Sequence, residues 1–211
     1  MPPKFTVPGM SQDDAAKVID LLQGRLVTLI DLQLTLKHIH WNVVGPAFIG
    51  VHEMLDPQVD AVRAMVDETA ERIATLGGEP NGLPGNLVSS RSWDDYDLGR
   101  AMTQEHLGAL DLVYDGIIGE HRRLIGELEE LDQVTQDMII EQSQQLEQFQ
   151  WFVRAHLESD GGRLVTAGAT TERQAAAKAG GRTATAARHA KKAATSKAAK
   201  STGNGRRAAS G

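Results

Sequence analysis

There is no cysteine in this chain. Disulfides, thiolate nucleophiles and zinc–thiolate sites are thereby excluded, and any metal must sit on imidazole and carboxylate, a donor set suited to iron, manganese or zinc. Long apolar runs are missing too. No stretch approaches the ~20 residues needed to cross a bilayer, and the opening MPPKFTVPGMSQDD has no basic segment followed by an apolar one. The expectation is a soluble, cytoplasmic protein without a membrane partner. Convincing strand alternation is also absent, which leaves helices to build the fold. With 41% apolar residues in a chain of 211, there is enough to bury in a single globular unit.

Acidic residues are almost missing from the last quarter of the chain. Residues 161–211 hold eleven Lys and Arg against Glu172 alone, whereas residues 1–160 hold eleven basic and 27 acidic residues. The net charge of −6 therefore conceals a body at −16 and a tail at +10. The tail contains stretches such as ARHAKKAATSKAAKSTGNGRRAAS, with almost nothing large and apolar, and is expected to be disordered because it cannot bury enough surface to fold alone. The division that follows is an N-terminal extension over 1–10, a folded domain over 11–160 and a disordered basic tail over 161–211.

Within the folded part, Ser11 followed by Asp14 resembles a capping box, and Val18, Leu22, Leu26, Leu29 and Leu36 recur at helical spacing. They predict a first helix over about 11–43, stopped by Gly45-Pro46. A second apolar stripe runs from Phe48 through Val51, Leu55, Val59, Val62 and Val66 to Ile73 and ends at Gly77-Gly78. Asp56-Pro57 could be an N-cap and first helical residue, but the apolar spacing upstream favours one helix kinked at Pro57. A Gly- and Pro-rich connection follows, in which SWDDYDL, with Ser92 as N-cap, predicts a short extra helix. Third and fourth helices are expected over about 98–131 and 134–159, the former on Met102, Leu110, Val113, Ile117, Leu124 and Leu128, the latter on Ile139, Leu146, Phe149, Val153 and Leu157. The fold class is all-α, a four-helix bundle with a long central connection.

Residues 40–72, HWNVVGPAFIGVHEMLDPQVDAVRAMVDETAER, concentrate potential ligands: His40, His52, Asp56, Asp67 and Glu71. His52 and Asp56 are an i, i+4 pair, as are Asp67 and Glu71, so each pair converges on one place. At 100° per residue all four lie about 60–160° from the core stripe, where a helix meets a second subunit. Asp56 and Asp67 lie about 16 Å apart along the axis, beyond the reach of one ion. A twofold axis that sets this helix antiparallel to its copy brings Asp67 and Glu71 of one chain beside His52 and Asp56 of the other, with His40 added from the first helix. Asp60 and Arg63 straddle that axis and could pair across it. Singly, each of these residues is better explained as a core histidine or a solvated acidic face; together around one axis they point to a metal site. His106, His121 and His156 lack such company and are expected in core or surface roles, and Trp41 is expected at the interface.

HWNVVGPAFIGVHEMLD, with the D and E of DETAER, closely resembles the ferroxidase motif of the Dps family, the DNA-binding proteins from starved cells, which are miniature ferritins. The resemblance extends over about residues 5–159, including WDDY and FQWFVRAHLE. It implies a ferritin-like bundle assembling into a hollow homo-dodecamer, with iron bound by His40, His52 and Asp56 of one subunit and Asp67 and Glu71 of its neighbour. It also implies a ferroxidase, an enzyme that oxidises iron(II), typically with hydrogen peroxide, and stores the ferric oxide inside. Ordinary ferritins build the site within one bundle using Glu-x-x-His, which occurs nowhere in this chain. Asp132 and Asp137, at the start of the fourth helix, are candidates for an ion pore or are plain helix-dipole acids. In the tail, Lys191, Lys192, Lys197, Lys200, Arg206 and Arg207, without interleaved aromatics, suit phosphate neutralisation and so double-stranded DNA bound irrespective of sequence, in a nucleoid-associated protein. The competing expectation is an architectural nucleoid protein whose metal site is vestigial or binds zinc.

Overall fold

The computed structural model describes residues 3–159 and 161–181. Named in chain order, the elements are α1 (Gln12–Asn42), β1 (Val43–Val44), α2 (Phe48–Thr75), α3 (Pro84–Ser90), β2 (Ala101–Met102), α4 (Thr103–Leu128) and α5 (Gln133–Leu157). A last helix, α6, covers 172–181. The Ser11 hydroxyl accepts the Asp14 N–H at 3.0 Å and caps α1, one of the orphan donors at a helix start. α2 continues through Pro57, as the apolar spacing upstream of it predicts. It ends at Thr75, capped by Leu76, and the next residue, Gly77, has a φ of 88° in the left-handed region. A Cβ there would fall 2.0 Å from the Phe5 carbonyl oxygen, so this glycine lets the N-terminal segment close over the end of the bundle.

α1 lies along α2 and α4 along α5, two antiparallel pairs joined by the long connection after α2. Their apolar stripes meet in two core clusters. One is built around Leu29, Leu36, Leu55, Val62, Leu110 and Leu146, the other around Val18, Leu22, Ile73, Leu124, Leu128 and Ile139. β1 and β2 form a minimal parallel pair in the register Val43↔Ala101 and Val44↔Met102. This pairing ties the turn between α1 and α2 to the start of α4, so α4 begins at Thr103 and not near 98.

Two expectations are corrected. The short helix of the connection is α3, with Pro84 at its first turn, and SWDDYDL is not helical. Its residues are pinned instead by tertiary partners: Trp93 Nε1 donates to Asp31 at 2.8 Å and Arg91 pairs with Asp31 at 3.1 Å. The second correction concerns the tail, which was expected to be disordered from 161. Glu158 and Leu164 form an antiparallel bridge, Leu164 and Val165 pack on the core, and α6 buries Ala175, Ala176 and Ala179. Small residues permit this contact, because a Cβ on Gly108 of α4 would lie 2.8 Å from both the Ala175 carbonyl oxygen and the Ala179 Cβ. No helix among the described residues is long and apolar enough to cross a membrane.

Candidate metal centre

The last carbonyls of a helix have no intrahelical donor. At the end of α1 one of them, His40 O, accepts the Nδ1–H of His52 at 2.9 Å, and the His52 carbonyl accepts the Nδ1–H of His40 at 3.1 Å. The two rings stack with centroids 3.6 Å apart, and Phe48 lies against His52 at 4.9 Å. This reciprocal pair fixes both tautomers: with each proton held on Nδ1, each Nε2 presents a lone pair. A backbone carbonyl that orients an imidazole through its other nitrogen is the usual support of a metal-ligating histidine. The donor set thus fits a borderline cation such as iron(II).

Asp56 joins them from one turn along α2. Its Oδ1 lies 3.3 Å from His40 Nδ1 and accepts from the Lys37 ammonium at 2.8 Å. The Lys37 hydrogen bond holds the Asp56 carboxyl below its ordinary pKa although half of the side chain is exposed. It is therefore ionised and ready to bind a cation at any pH at which the protein would work. Lys37 and Phe48 were not anticipated from the sequence. Lys37 precedes His40 by three residues and so shares its face of α1, a signal that could have placed it.

Asp67 and Glu71 are both exposed on the other half of α2. Asp67 opens onto a shallow groove that it shares with Asp60, Arg63, Ala64, Val66 and Ala70. The chain brings His40, His52 and Asp56 together and leaves Asp67 and Glu71 apart from them. Among the described residues no group of three or more His, Asp or Glu side chains is disposed to hold a metal by itself. Asp60 and Arg63 pair loosely within the chain, at 3.9 Å. Trp41 is 70% exposed, and it shares one exposed face of α1 with Leu34, seven residues earlier.

The other candidates fare differently. His106 and His121 are fully buried, and His156 is exposed with Nδ1 on the Phe152 carbonyl. Asp132 is the N-cap of α5: it accepts from Thr135 N at 3.3 Å and from Arg72 Nη2 at 2.6 Å, with 11% of its side chain exposed. Burial works against its ionisation, but the bonds from Thr135 and Arg72 prevail and hold its pKa down. A carboxylate so committed acts as a structural cap of α5. Asp137 is exposed on α5. Lys191, Lys192, Lys197, Lys200, Arg206 and Arg207 lie outside the described residues.

A family model described as a ferritin-like domain matches residues 19–160. The chain is 59% identical to the DNA protection during starvation protein of Mycolicibacterium smegmatis over 83% of its own length and 96% of the relative's. The chain belongs to the Dps family of ferritin-like proteins. Solved Dps structures agree: Mycobacterium smegmatis Dps matches with a TM-score of 0.79 at 58% identity, over 81% of this chain and 97% of that one. DpsA14 from Streptomyces coelicolor matches with a TM-score of 0.78 at 58% identity, over 79% and 99%. The Dps resemblance drawn from the motif around His40 and His52 and the ferritin-like bundle are therefore established for this chain.

Proposed function

We propose that the protein is an iron-storing ferroxidase whose oxidation sites are shared between subunits of a homo-dodecameric cage, and that its basic tail binds double-stranded DNA without regard to sequence. The observation that carries the reading is the reciprocal His40–His52 pair, which commits both Nδ1 atoms to backbone carbonyls and leaves both Nε2 atoms free as lone-pair donors, with an ionised Asp56 one turn along α2. Three donors leave coordination positions unfilled, and the remaining carboxylates, Asp67 and Glu71, stand on an exposed face of the same helix. Exposed Leu34, Trp41 and Ile49 supply apolar surface near the three donors for a second copy to cover.

Iron(II) is the substrate. Neutral imidazoles and hard carboxylates bind it and favour the ferric product. Two iron(II) ions give one electron each to one hydrogen peroxide, whose O–O bond breaks to give two hydroxides, so no hydroxyl radical is released. Lys37 acts on Asp56, keeping it ionised and holding one of its oxygens until a cation displaces the ammonium. A protein of the Dps family that removes iron(II) and peroxide together, while its tail holds DNA, protects that DNA from oxidative damage.

The test is to add iron(II) and then peroxide to the purified protein without oxygen. The expected result is consumption of one peroxide per two iron(II), with ferric product retained on the particle and no signal from a radical trap. Tight zinc binding without any acceleration of iron oxidation would overturn the ferroxidase and leave the architectural nucleoid protein.

A further inference from the structure

Between the two core clusters, each of the four long helices contributes a polar side chain to one layer: Arg25 from α1, Thr69 from α2, His121 from α4 and Gln142 from α5. All are buried, His121 and Thr69 completely. The neighbours on either side are apolar, Met65 and Ile73 on α2, Ile117 and Leu124 on α4, Leu146 and Ile139 on α5. A buried polar layer is tolerated only if its hydrogen bonds are made.

The donors and acceptors of this layer are fixed by their outer partners. Thr69 Oγ1 donates to the Met65 carbonyl at 2.7 Å, so it accepts from Gln142 Nε2, at 3.3 Å; that nitrogen also donates to Glu68 Oε2 at 3.3 Å. The Gln142 amide is therefore oriented with its carbonyl Oε1 turned away from Thr69. His121 Nδ1 lies 3.1 Å from the Ile117 carbonyl and must donate to it, which leaves Nε2 as a lone pair. Arg25 uses Nη2 on Glu120. Three buried atoms then have no partner among the described residues: the acceptors His121 Nε2 and Gln142 Oε1, and the donor Arg25 Nη1. Gln142, Arg25 and Glu120 are the side chains that bear on the His121 ring, Arg25 as a charge opposing its protonated form, Gln142 as a hydrogen-bond partner for that form and Glu120 as a weaker charge favouring it.

Two acceptors cannot satisfy each other. What joins them is a molecule with two hydrogens to give and a lone pair to receive. We propose that this layer is a binding site for one buried water, which donates to His121 Nε2 and to Gln142 Oε1 and accepts from Arg25 Nη1. Three hydrogen bonds are the usual complement of a buried water. A protonated His121 would bridge to Gln142 directly, but burial first, and then the charge of Arg25, push its pKa down to about 4. The water serves as the fourth-side partner that lets a neutral ring stay buried beside a guanidinium. Nothing in this argument depends on the metal centre.

The test combines a high-resolution crystal structure with the nitrogen-15 NMR spectrum of histidine-labelled, assembled protein at neutral pH. The expected result is one water within hydrogen-bonding distance of all three atoms, and a His121 signal of a neutral ring protonated on Nδ1. In Gln142→Met, which removes the carbonyl at similar length, the water should be lost. A ring protonated on Nε2, a Gln142 amide turned with its NH2 group toward the ring, or a layer without the water would each overturn the assignment. So would a water that persists unchanged in Gln142→Met. Should that variant fail to fold, the two measurements on the native protein decide alone.

Discussion

His121 is a neutral imidazole in the folded chain and an ordinary one in the unfolded chain, and that difference makes stability depend on pH. Its folded pKa of about 4 lies below the usual 6.5, so as pH falls through 6.5 the unfolded chain takes up a proton that the folded chain refuses. The contribution of a neutral His121 is whole above that value and is lost as pH falls toward 4, at up to about 1.4 kcal/mol per pH unit. His121→Gln should flatten this slope by one proton in denaturant midpoints measured across the window; an unchanged slope would contradict it. At the same scale, Asp132→Ala removes both the α5 cap and the partner of the half-buried Arg72. It should cost about 3 kcal/mol or more in unfolding free energy. If Asp132 lined a pore instead, iron uptake would slow with stability intact. The sequence showed His52 and Asp56 because they are an i, i+4 pair on one helix, and His40 because it lies just across the turn before that helix. It could not show the Arg72–Asp132 pair, whose partners are sixty residues apart.

Elements built on local signals were legible; those built on distant partners were not. α1, α2, α4 and α5 follow from apolar periodicity and caps. α3 was displaced because Ser92 reads locally as an N-cap, whereas Arg91 and Trp93 are claimed by Asp31 on α1. α6 was missed because alanine looks too small to form a core, yet beside Gly108 it packs backbone against backbone. Gly108→Leu should dislodge α6, detected as rapid proteolysis within 161–181 while the body stays folded; resistance equal to the native chain would show that α6 does not depend on this contact. Truncation sorts the tail in the same way. Residues 182–211 hold eight Lys and Arg and no acid, so removing them alone should abolish DNA retardation and leave the thermal midpoint unchanged. Removing 161–211 should also lower that midpoint, since it uncovers α4. Retained DNA retardation after the shorter deletion would take DNA binding away from the tail.

For the whole molecule, the acidic body and cationic tail predict that DNA binding ignores base sequence and falls on the order of a thousandfold between about 50 and about 200 mM salt. A salt-independent affinity would contradict phosphate neutralisation. Assembly matters more for the proposed oxidation site, because the chain holds His40, His52 and Asp56 apart from Asp67 and Glu71. One variant lacks His52 and Asp56, both changed to Ala; a second carries Asp67→Asn and Glu71→Gln. Each alone should be inactive. When the two are dissociated, mixed and reassembled, every mixed dimer holds one site with His52 and Asp56 from the second variant and Asp67 and Glu71 from the first, and one site with neither half. Random pairing makes about half the dimers mixed, so roughly a quarter of the native iron-oxidising activity should return. A mixture shown to contain such dimers that stays inactive would contradict the shared site.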